Sequence, residues 1–245
     1  MYQINKAMVN IVIPMAGLGS RFPRDKYYLP KPLIDVNGKP MITRAIESLD
    51  IDGQWHFILR NDEFLKITKD VISKTVDNPV FTVVDQTTEG PACSVLLLKD
   101  HINTGDELVT ANCDQIMEWN SNLFFHNVRL YDGAVVTYYS DTDKNSYVKL
   151  DRKGRAIQFA EKEVISNISL NGIHYWKKGS DFVSSAEAMI SADDRAPNGE
   201  FYIAPTYNYM INAGKEIGIF HIPIEQHHAV GVPIDLERFL KYDKA

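Results

Sequence analysis

The stretch Val9-Asn10-Ile11-Val12-Ile13-Pro14-Met15-Ala16-Gly17-Leu18-Gly19-Ser20-Arg21 passes from a nearly unbroken β-branched segment directly into a glycine-containing loop. A short apolar run of this kind is typical of a buried parallel strand, and glycine and serine end it. Glycines let backbone N–H groups approach phosphate oxygens without a Cβ in the way, and arginine offers a planar set of donors suited to phosphate. The stretch therefore predicts a parallel sheet with an anion site where its first strand ends.

Strand-like and helix-like segments alternate through the first half of the chain. Short apolar runs predict strands at 56–59, 80–84 and 108–111, and the apolar spacing predicts helices at 41–49, 64–73 and 94–100. Strands that alternate with helices at this spacing favour βαβ units and a parallel sheet. We expect an α/β fold with a mixed, mainly parallel, Rossmann-like sheet flanked by helices.

The second half of the chain changes character near residue 120. Strands are predicted at 134–140, 147–150, 156–159, 173–176 and 216–222, helices at 181–189, 203–213 and 235–241, and a polar hairpin turn at 151–155. No linker or repeat marks a boundary. We therefore expect one domain over residues 1–245 that is divided into two lobes, about 8–120 and about 121–245.

Composition narrows the functional classes. The net charge of −6 disfavours a general nucleic-acid binder, which needs a basic surface. The only two cysteines, Cys93 and Cys113, lie in apolar surroundings and are expected to be reduced thiols. The short polar segment from Met1 to Lys6 does not resemble a signal peptide, and no window is apolar enough for a membrane span. We expect a soluble cytoplasmic protein that does not bind a membrane.

The glycine loop together with the later Pro30-Lys31-Pro32-Leu33 is a restrictive combination. It resembles the pattern A-G-x-G-[ST]-R followed by P-K-P-[LM] of the sugar-phosphate nucleotidyltransferases. The matching residues are Ala16, Gly17, Gly19, Ser20, Arg21, Lys31 and Pro32. The resemblance implies the nucleotide-diphospho-sugar transferase fold, with a nucleotide-binding first lobe and an acceptor-binding second lobe. It also implies that the loop, Leu18 included, wraps a triphosphate while Arg21 and Lys31 stabilise the reacting phosphates.

A second candidate is Asp114, which follows the predicted strand at 108–111. Ligands of open α/β sheets bind beyond the carboxyl ends of the strands, and a carboxylate there can hold Mg²⁺. On its own, such a residue is more often a turn or helix-cap aspartate. In the family, however, a strand of this kind supplies the metal-binding aspartate, which implies that Asp114 contacts the nucleotide through Mg²⁺.

Three further segments resemble the family more loosely. Glu161 and Lys162 match its F-x-E-K segment, which implies contacts with acceptor hydroxyls and the acceptor phosphate, although Glu163 replaces the usual proline. Asn171 and Gly172 approximate an acceptor-side segment, and Glu200 resembles an acceptor-side glutamate. The stretch from Asp85 to Ala92 resembles the nucleobase-reading loop, which implies roles for Gln86 and Gly90. A charged surface hairpin and an ordinary helix-start loop are the alternatives.

The final segment Gly231-Val232-Pro233-Ile234-Asp235-Leu236 resembles the family's G-T-P-x-D-L. Many members place a second metal-binding aspartate two positions before that glycine, where this chain has Ala229. The neighbouring histidines are poor substitutes, because Mg²⁺ favours oxygen ligands. The second metal ligand therefore stays open.

The resemblance implies transfer of a nucleoside monophosphate from an NTP to a sugar 1-phosphate, for surface polysaccharide biosynthesis, with Mg²⁺ as cofactor. A cytidylyltransferase for a non-sugar phosphate such as phosphocholine and a non-catalytic nucleotide-binding relative are the alternatives. The related glycosyltransferases usually carry D-x-D where this chain has Cys113-Asp114-Gln115, and they lack the glycine loop. The nucleobase, the acceptor and the oligomeric state, a homo-oligomer included, are left open.

Overall fold

A mixed sheet forms the centre of the computed structural model, which describes residues 8–243. The segment Met1 to Lys6 thus lies outside the described residues. The strands are β1 (Val9–Pro14), β2 (Asp35–Val36), β3 (Lys39–Pro40), β4 (Gln54–Arg60), β5 (Val80–Val84), β6 (Glu107–Thr110), β7 (Gln115–Met117), β8 (Gly133–Tyr139), β9 (Ser146–Leu150), β10 (Ala156–Glu161), β11 (Ile168–Trp176), β12 (Ile217–His221) and β13 (His227–Ala229). The α-helices are α1 (Met41–Leu49), α2 (Leu65–Ser73), α3 (Pro91–Leu96), α4 (Lys99–Ile102), α5 (Ser121–Val128), α6 (Gly179–Ser191), α7 (Thr206–Asn212) and α8 (Pro233–Tyr242).

The main sheet has nine strands to which both halves of the chain contribute. Strands β6, β1, β4 and β5 lie side by side in parallel, whereas β11 runs antiparallel to β6 and continues the sheet into β8, β9 and β10. Because β1 and β6 are parallel neighbours, the glycine loop and the segment that contains Asp114 leave the sheet at the same edge. The topology alone brings the first two sequence motifs together.

The side chains of β1 alternate between the two faces of the sheet, and helices cover both faces. Ile11 and Ile13 are buried in a cluster with residues of α1, α2 and α5, while Val12 is buried in a second cluster with residues of α3, α6 and α7. Successive side chains of a strand point to opposite faces, so this segment needs apolar residues at consecutive positions. The expected α/β fold, with a mixed sheet flanked by helices, is confirmed.

The third buried cluster ties the C-terminal segment to the glycine loop. Strand β13 pairs antiparallel with β7, and Val230 donates a backbone hydrogen bond of 2.9 Å to the Asp114 carbonyl. Val230, Leu236 and Phe239 pack with Phe22, which closes the loop after β1. Residues from the two ends of the chain therefore meet around Asp114.

Several elements differ from the sequence predictions. The helix expected at 94–100 is two short helices, α3 and α4, and the pairing of β7 with β13 was not predicted. Helix α5 was also missed, although Asn120 caps it by accepting a hydrogen bond of 2.9 Å from the Leu123 amide. An asparagine before a helix is a local signal that sequence reasoning can use. None of the described helices has the length and hydrophobicity that a bilayer crossing requires.

Candidate active site

The glycine loop leaves β1 and turns back on itself at Gly19. Gly19 adopts a φ of 60°, and the Phe22 amide donates to the Gly19 carbonyl over 3.0 Å. A Cβ atom on Gly19 would lie 3.1 Å from the Cβ of Lys31, so the glycine lets the loop pack against that lysine. Buried Phe22 fixes the end of the turn, which leaves Arg21 exposed at its surface. The local sequence thus presents Arg21 beyond the end of β1.

A first cavity of about 370 Å³ opens beside this loop. It is lined by Pro14, Ala16, Gly17, Arg21, Thr87, Thr88, Gly90, Pro91, Ser94, Asn112, Glu200 and Tyr202. Gly90 has a φ of 144°, and a Cβ there would overlap the backbone of Phe201. The cavity therefore depends on a glycine at this position, because a distant segment of the chain packs directly against it.

Not every predicted nucleotide-binding residue reaches this cavity. Ala16, Gly17, Arg21 and Gly90 line it, but Gln86, Leu18 and Ser20 are exposed and do not. Leu18 and Lys31 instead line a smaller cavity of about 60 Å³, which shares Gly17 with the first. Glu200 was predicted on the acceptor side and lies on the first cavity.

Lys31 and Asp114 form an ion pair with an Nζ–Oδ2 distance of 2.6 Å. Both side chains are largely buried, with 17% and 16% of their surface exposed. Burial alone would lower the pKa of Lys31, but the neighbouring Cys113 and Asp114 raise it above its ordinary value. The ammonium is therefore charged, and it neutralises the carboxylate at the end of β6.

A second cavity, of about 590 Å³, lies next to the first. It is lined by Arg21, Asn112, Asp114, Gln115, Tyr138, Lys144, Asn145, Ser146, Glu161, Leu170, Asn171, Gly172, His227, Ala229, Gly231, Val232, Ile234 and Asp235. Arg21 and Asn112 are the lining residues that the two cavities share. Arg21 is thus a cation that faces both spaces.

The adjacent residues Glu161 and Lys162 point in different directions. Glu161 is buried in the second cavity and accepts a hydrogen bond from Ser146. Burial raises the pKa of Glu161, although the Ser146 hydrogen bond opposes the shift. Lys162 has a φ of 55° and donates over 2.5 Å to the hydroxyl of Tyr202, which lines the first cavity. The structure therefore separates the two charges that the sequence motif presents together.

Strand β11 supplies the floor of the second cavity. Its pairing with β8 shifts register between Leu170 and His174, and within this bulge Gly172 adopts a φ of 97°. The predicted residues Asn171 and Gly172 both line the cavity. Asn171 is buried, and its side-chain oxygen accepts a hydrogen bond of 2.9 Å from the Ile173 amide.

The buried amide of Gln115 lies above this bulge. It donates to the Asn171 carbonyl and lies 3.2 Å from Nε2 of His227, while its Oε1 atom has no hydrogen-bond partner within the described chain. Burial, followed by the neighbouring His228, lowers the pKa of His227 to about 4. The imidazole is therefore neutral at physiological pH, and its Nε2 can accept from Gln115.

Asp114 does not belong to a cluster of several protein metal ligands within the described residues. Ala229 occupies the position expected of a second aspartate, and it pairs with Gln115 across β13 and β7. Within residues 8–243, no group of three or more His, Cys, Asp or Glu side chains could hold a metal ion. Mg²⁺ usually binds through one or two carboxylates and fills its remaining positions with water and substrate phosphates. Asp114 alone is compatible with that kind of site, provided that a phosphorylated ligand supplies the rest.

Sequence reasoning missed several cavity residues. Lys144, Asn145 and Ser146 precede or begin β9 in a segment without a motif, and Tyr138 and His227 come from β8 and β13. Asn112 lies within a recognised segment, and a polar residue between the apolar Ala111 and Cys113 is the kind of sequence signal that could have identified it.

Comparison with known proteins supports the fold. No protein-family model and no curated protein matches the sequence. Among solved structures, a nucleoside-diphosphate-sugar pyrophosphorylase from Vibrio cholerae RC9 is 24% identical, with a TM-score of 0.80 over 94% of this chain and 99% of that one. A protein from Bacillus anthracis assigned as a glucose-1-phosphate thymidylyltransferase, in complex with sucrose, is 20% identical, with a TM-score of 0.74 over 96% and 94%.

A third structure, UDP-glucose pyrophosphorylase complexed with UDP-glucose, is 15% identical, with a TM-score of 0.75 over 97% of this chain and 100% of that one. The similarity extends over nearly the full length of each chain. The chain therefore has the fold of the nucleotide-diphospho-sugar pyrophosphorylases.

Proposed function

We propose that this protein is a nucleotidyltransferase that transfers a nucleoside monophosphate from an NTP to a sugar 1-phosphate and releases pyrophosphate. The observation that carries the proposal is the position of Arg21, which lines two adjoining cavities at the end of β1. The first cavity contains the glycine loop, and the second contains Asp114 and buried Glu161. Two phosphorylated substrates bound in this way would meet at Arg21.

The reaction needs no general base. A phosphate monoester is mostly ionised near pH 7, so an acceptor phosphate oxygen can attack the α-phosphorus directly. One P–O bond forms there while the bond to the bridging oxygen of the β-phosphate breaks, and the electron pair leaves with pyrophosphate. The protein has to orient two anions and neutralise their charge. Arg21 brings positive charge to both cavities, Lys31 pairs with Asp114, and Lys162 adds a cation beside Tyr202.

Magnesium is part of the proposal. When bound with the NTP at Asp114, the ion would polarise and neutralise phosphate oxygens. Lys31 pairs with the same carboxylate, so it balances that negative charge when no cation is near. The glycine loop and Thr87, Thr88 and Gly90 would hold the triphosphate and nucleoside in the first cavity. In the second, Glu161 and the β11 bulge would contact the acceptor.

The names of the structural neighbours agree with this chemistry, since two are called pyrophosphorylases of nucleotide sugars and one a glucose-1-phosphate thymidylyltransferase. A nucleotide-diphospho-sugar product would serve surface polysaccharide biosynthesis, and we include that role and a cytoplasmic location in the proposal. The buried carboxylate of Glu161 favours a hydroxyl-bearing acceptor, because a carboxylate accepts hydrogen bonds.

A matrix of substrates tests the proposal. Four NTPs are combined with sugar 1-phosphates and with amino-alcohol phosphates in the presence of Mg²⁺, and pyrophosphate release is measured. We expect product with a sugar 1-phosphate, and we expect Arg21→Ala or Asp114→Ala to lower the rate by about a hundredfold or more. The exposed-residue variants Arg152→Ala and Asp77→Ala are matched controls. Absence of pyrophosphate from every combination, or normal turnover by Arg21→Ala, would contradict the proposal.

A further inference from the structure

We propose that Asn112 is a catalytic residue that donates a hydrogen bond from its side-chain amide to the phosphoryl group being transferred. This role rests on the proposed nucleotidyltransferase function. Asn112 and Arg21 are the lining residues that the two cavities share. A group that faces both cavities is placed where the α-phosphate in one space would meet the acceptor phosphate in the other.

The end of β6 directs Asn112 toward the cavities. Its neighbours Ala111 and Cys113 are buried, whereas Asn112 is exposed. The Ala111 amide still bonds to the Val12 carbonyl of β1 over 3.1 Å, so the backbone remains tied to the sheet up to that position. Asn112 is therefore the first residue whose side chain leaves the sheet after β6, and a rigid strand fixes its origin.

The Asn112 amide lies against the bulge in β11. A Cβ atom built on Gly172 would overlap Asn112 Nδ2 and would lie 3.2 Å from Asn112 Cγ. The amide of Asn112 occupies the space that any other residue at position 172 would fill. The absence of a side chain at Gly172 thus lets the Asn112 amide pack against β11.

The Asn112 amide is available for a ligand. The Nε2 atom of Gln115, the second amide beside Gly172, already donates to the Asn171 carbonyl. In the part of the chain from residue 8 to residue 243, the Asn112 side chain makes no protein hydrogen bond, and its exposure lets a ligand reach it. An asparagine amide offers two N–H donors without adding a charge.

A neutral donor suits this position because of its neighbours. Asp114 is two residues away, and the Lys31 ammonium already lies 2.6 Å from it. A carboxylate at position 112 would repel both substrates, whereas an amide can bond a non-bridging oxygen of the α-phosphate as charge develops there. No proton is transferred in this interaction: the acceptor oxygen forms its bond to phosphorus, and pyrophosphate departs with the electron pair of the broken bond.

The variants Asn112→Ala and Asn112→Asp test this role, with Asn122→Asp on the exposed surface of α5 as the matched control. We expect kcat to fall about tenfold to a hundredfold in Asn112→Ala and further in Asn112→Asp. The Kd for Mg²⁺–NTP, measured by calorimetry, should change by less than about threefold in Asn112→Ala, because the hydrogen bond is made mainly in the transition state. A structural role alone would instead lower the melting temperature.

Gly172→Ala supplies the second measurement. It should lower kcat in the wild-type background, and its additional effect should be clearly smaller in the Asn112→Ala background, since both changes then remove one shared interaction. If the wild-type protein turns over but kcat of both Asn112 variants stays within about twofold of it, the role of Asn112 is wrong while the proposed function stands. If the wild-type protein gives no product with any substrate pair, the proposed function is wrong and this role falls with it.

Discussion

The carboxylate of Asp114 packs directly against the backbone of Gly231, where a Cβ atom would overlap its Oδ2 atom. The same oxygen pairs with Lys31, and the Asp114 carbonyl accepts the Val230 amide. Asp114 is therefore fixed between the end of β6 and a segment from the far end of the chain. The close approach explains in physical terms why a glycine is required at position 231.

The first prediction concerns this contact. Gly231→Ala should displace the Asp114 carboxylate and lower kcat about tenfold or more, since small displacements of a charged group cost much of its effect. The matched control is Gly105→Ala, because nothing lies within 4 Å of a Cβ built there. Steady-state kinetics with the substrates found in the matrix would show the difference. Wild-type kcat in Gly231→Ala would mean that the Asp114 position does not matter for turnover.

The second prediction separates stability from substrate binding at Glu161. Burial raises the pKa of this carboxyl group, so ionising it costs more free energy in the folded protein than in the unfolded chain. Glu161→Gln removes that charge and should raise the melting temperature at pH 7, while the KM for the acceptor rises about tenfold. The KM for the NTP should stay unchanged. A lower melting temperature, or an equal effect on both KM values, would contradict this assignment.

The third prediction concerns a polar network remote from the cavities. Buried Glu107 accepts hydrogen bonds from Tyr175 over 2.6 Å and from Arg129 over 2.8 Å and 2.6 Å. Glu107→Ala leaves the Tyr175 hydroxyl without that partner and should lower the free energy of unfolding by about 2 kcal/mol in urea titrations. Glu187→Ala breaks a surface pair with Lys99 and should cost less than about 1 kcal/mol. Neither variant should change kcat.

The fourth prediction is a pH dependence of stability. Burial lowers the pKa of His174 to about 3, below its ordinary value of 6.5. Below that ordinary value the unfolded chain binds a proton that the folded protein excludes. The free energy of unfolding should therefore fall with decreasing pH, by about 1.4 kcal/mol per unit from this residue alone.

The aromatic substitution His174→Phe tests this pH dependence. The His174 ring stacks on Tyr207 with a centroid distance of 5.8 Å, so an aromatic replacement keeps much of the packing. The variant should show a shallower decline between pH 6.5 and pH 4 than wild type. His126→Phe, at an exposed position, should leave the slope unchanged. Equal slopes in all three proteins would show that His174 is not excluded from protonation.

The sequence predicted those parts of the fold and site that depend on local patterns. The nearly unbroken apolar run of β1 and the glycine loop are contiguous signals, and the parallel pairing of β1 with β6 then brings Asp114 near Arg21. The pairing of β7 with β13 was not predictable in this way, because three-residue strands lack a period. Its partner residues, Gln115 and Ala229, are far apart in the chain.

The direction in which individual side chains point was the other feature that could not be predicted from the sequence. The sequence places Glu161 and Lys162 together, and the left-handed backbone at Lys162 sends its ammonium to Tyr202 instead of the second cavity. Gln86 lies in a recognised loop and yet stays exposed, outside both cavities, while Thr87 and Thr88 line the first one. Backbone conformation decides these outcomes, and single-residue motifs do not specify it.

One consequence follows from the way in which β11 joins the two halves of the sheet. This strand pairs along its length with β8 on one edge, and on the other edge it pairs with β9 near its start and with β6 near its end; its bulge forms the floor of the second cavity. A chimera that combined residues before β7 with the second half of a relative would have to restore the pairing of β11 with β6 and the packing around its bulge. The halves are thus expected to change together under directed evolution, and swapping one of them should disrupt both cavities at once.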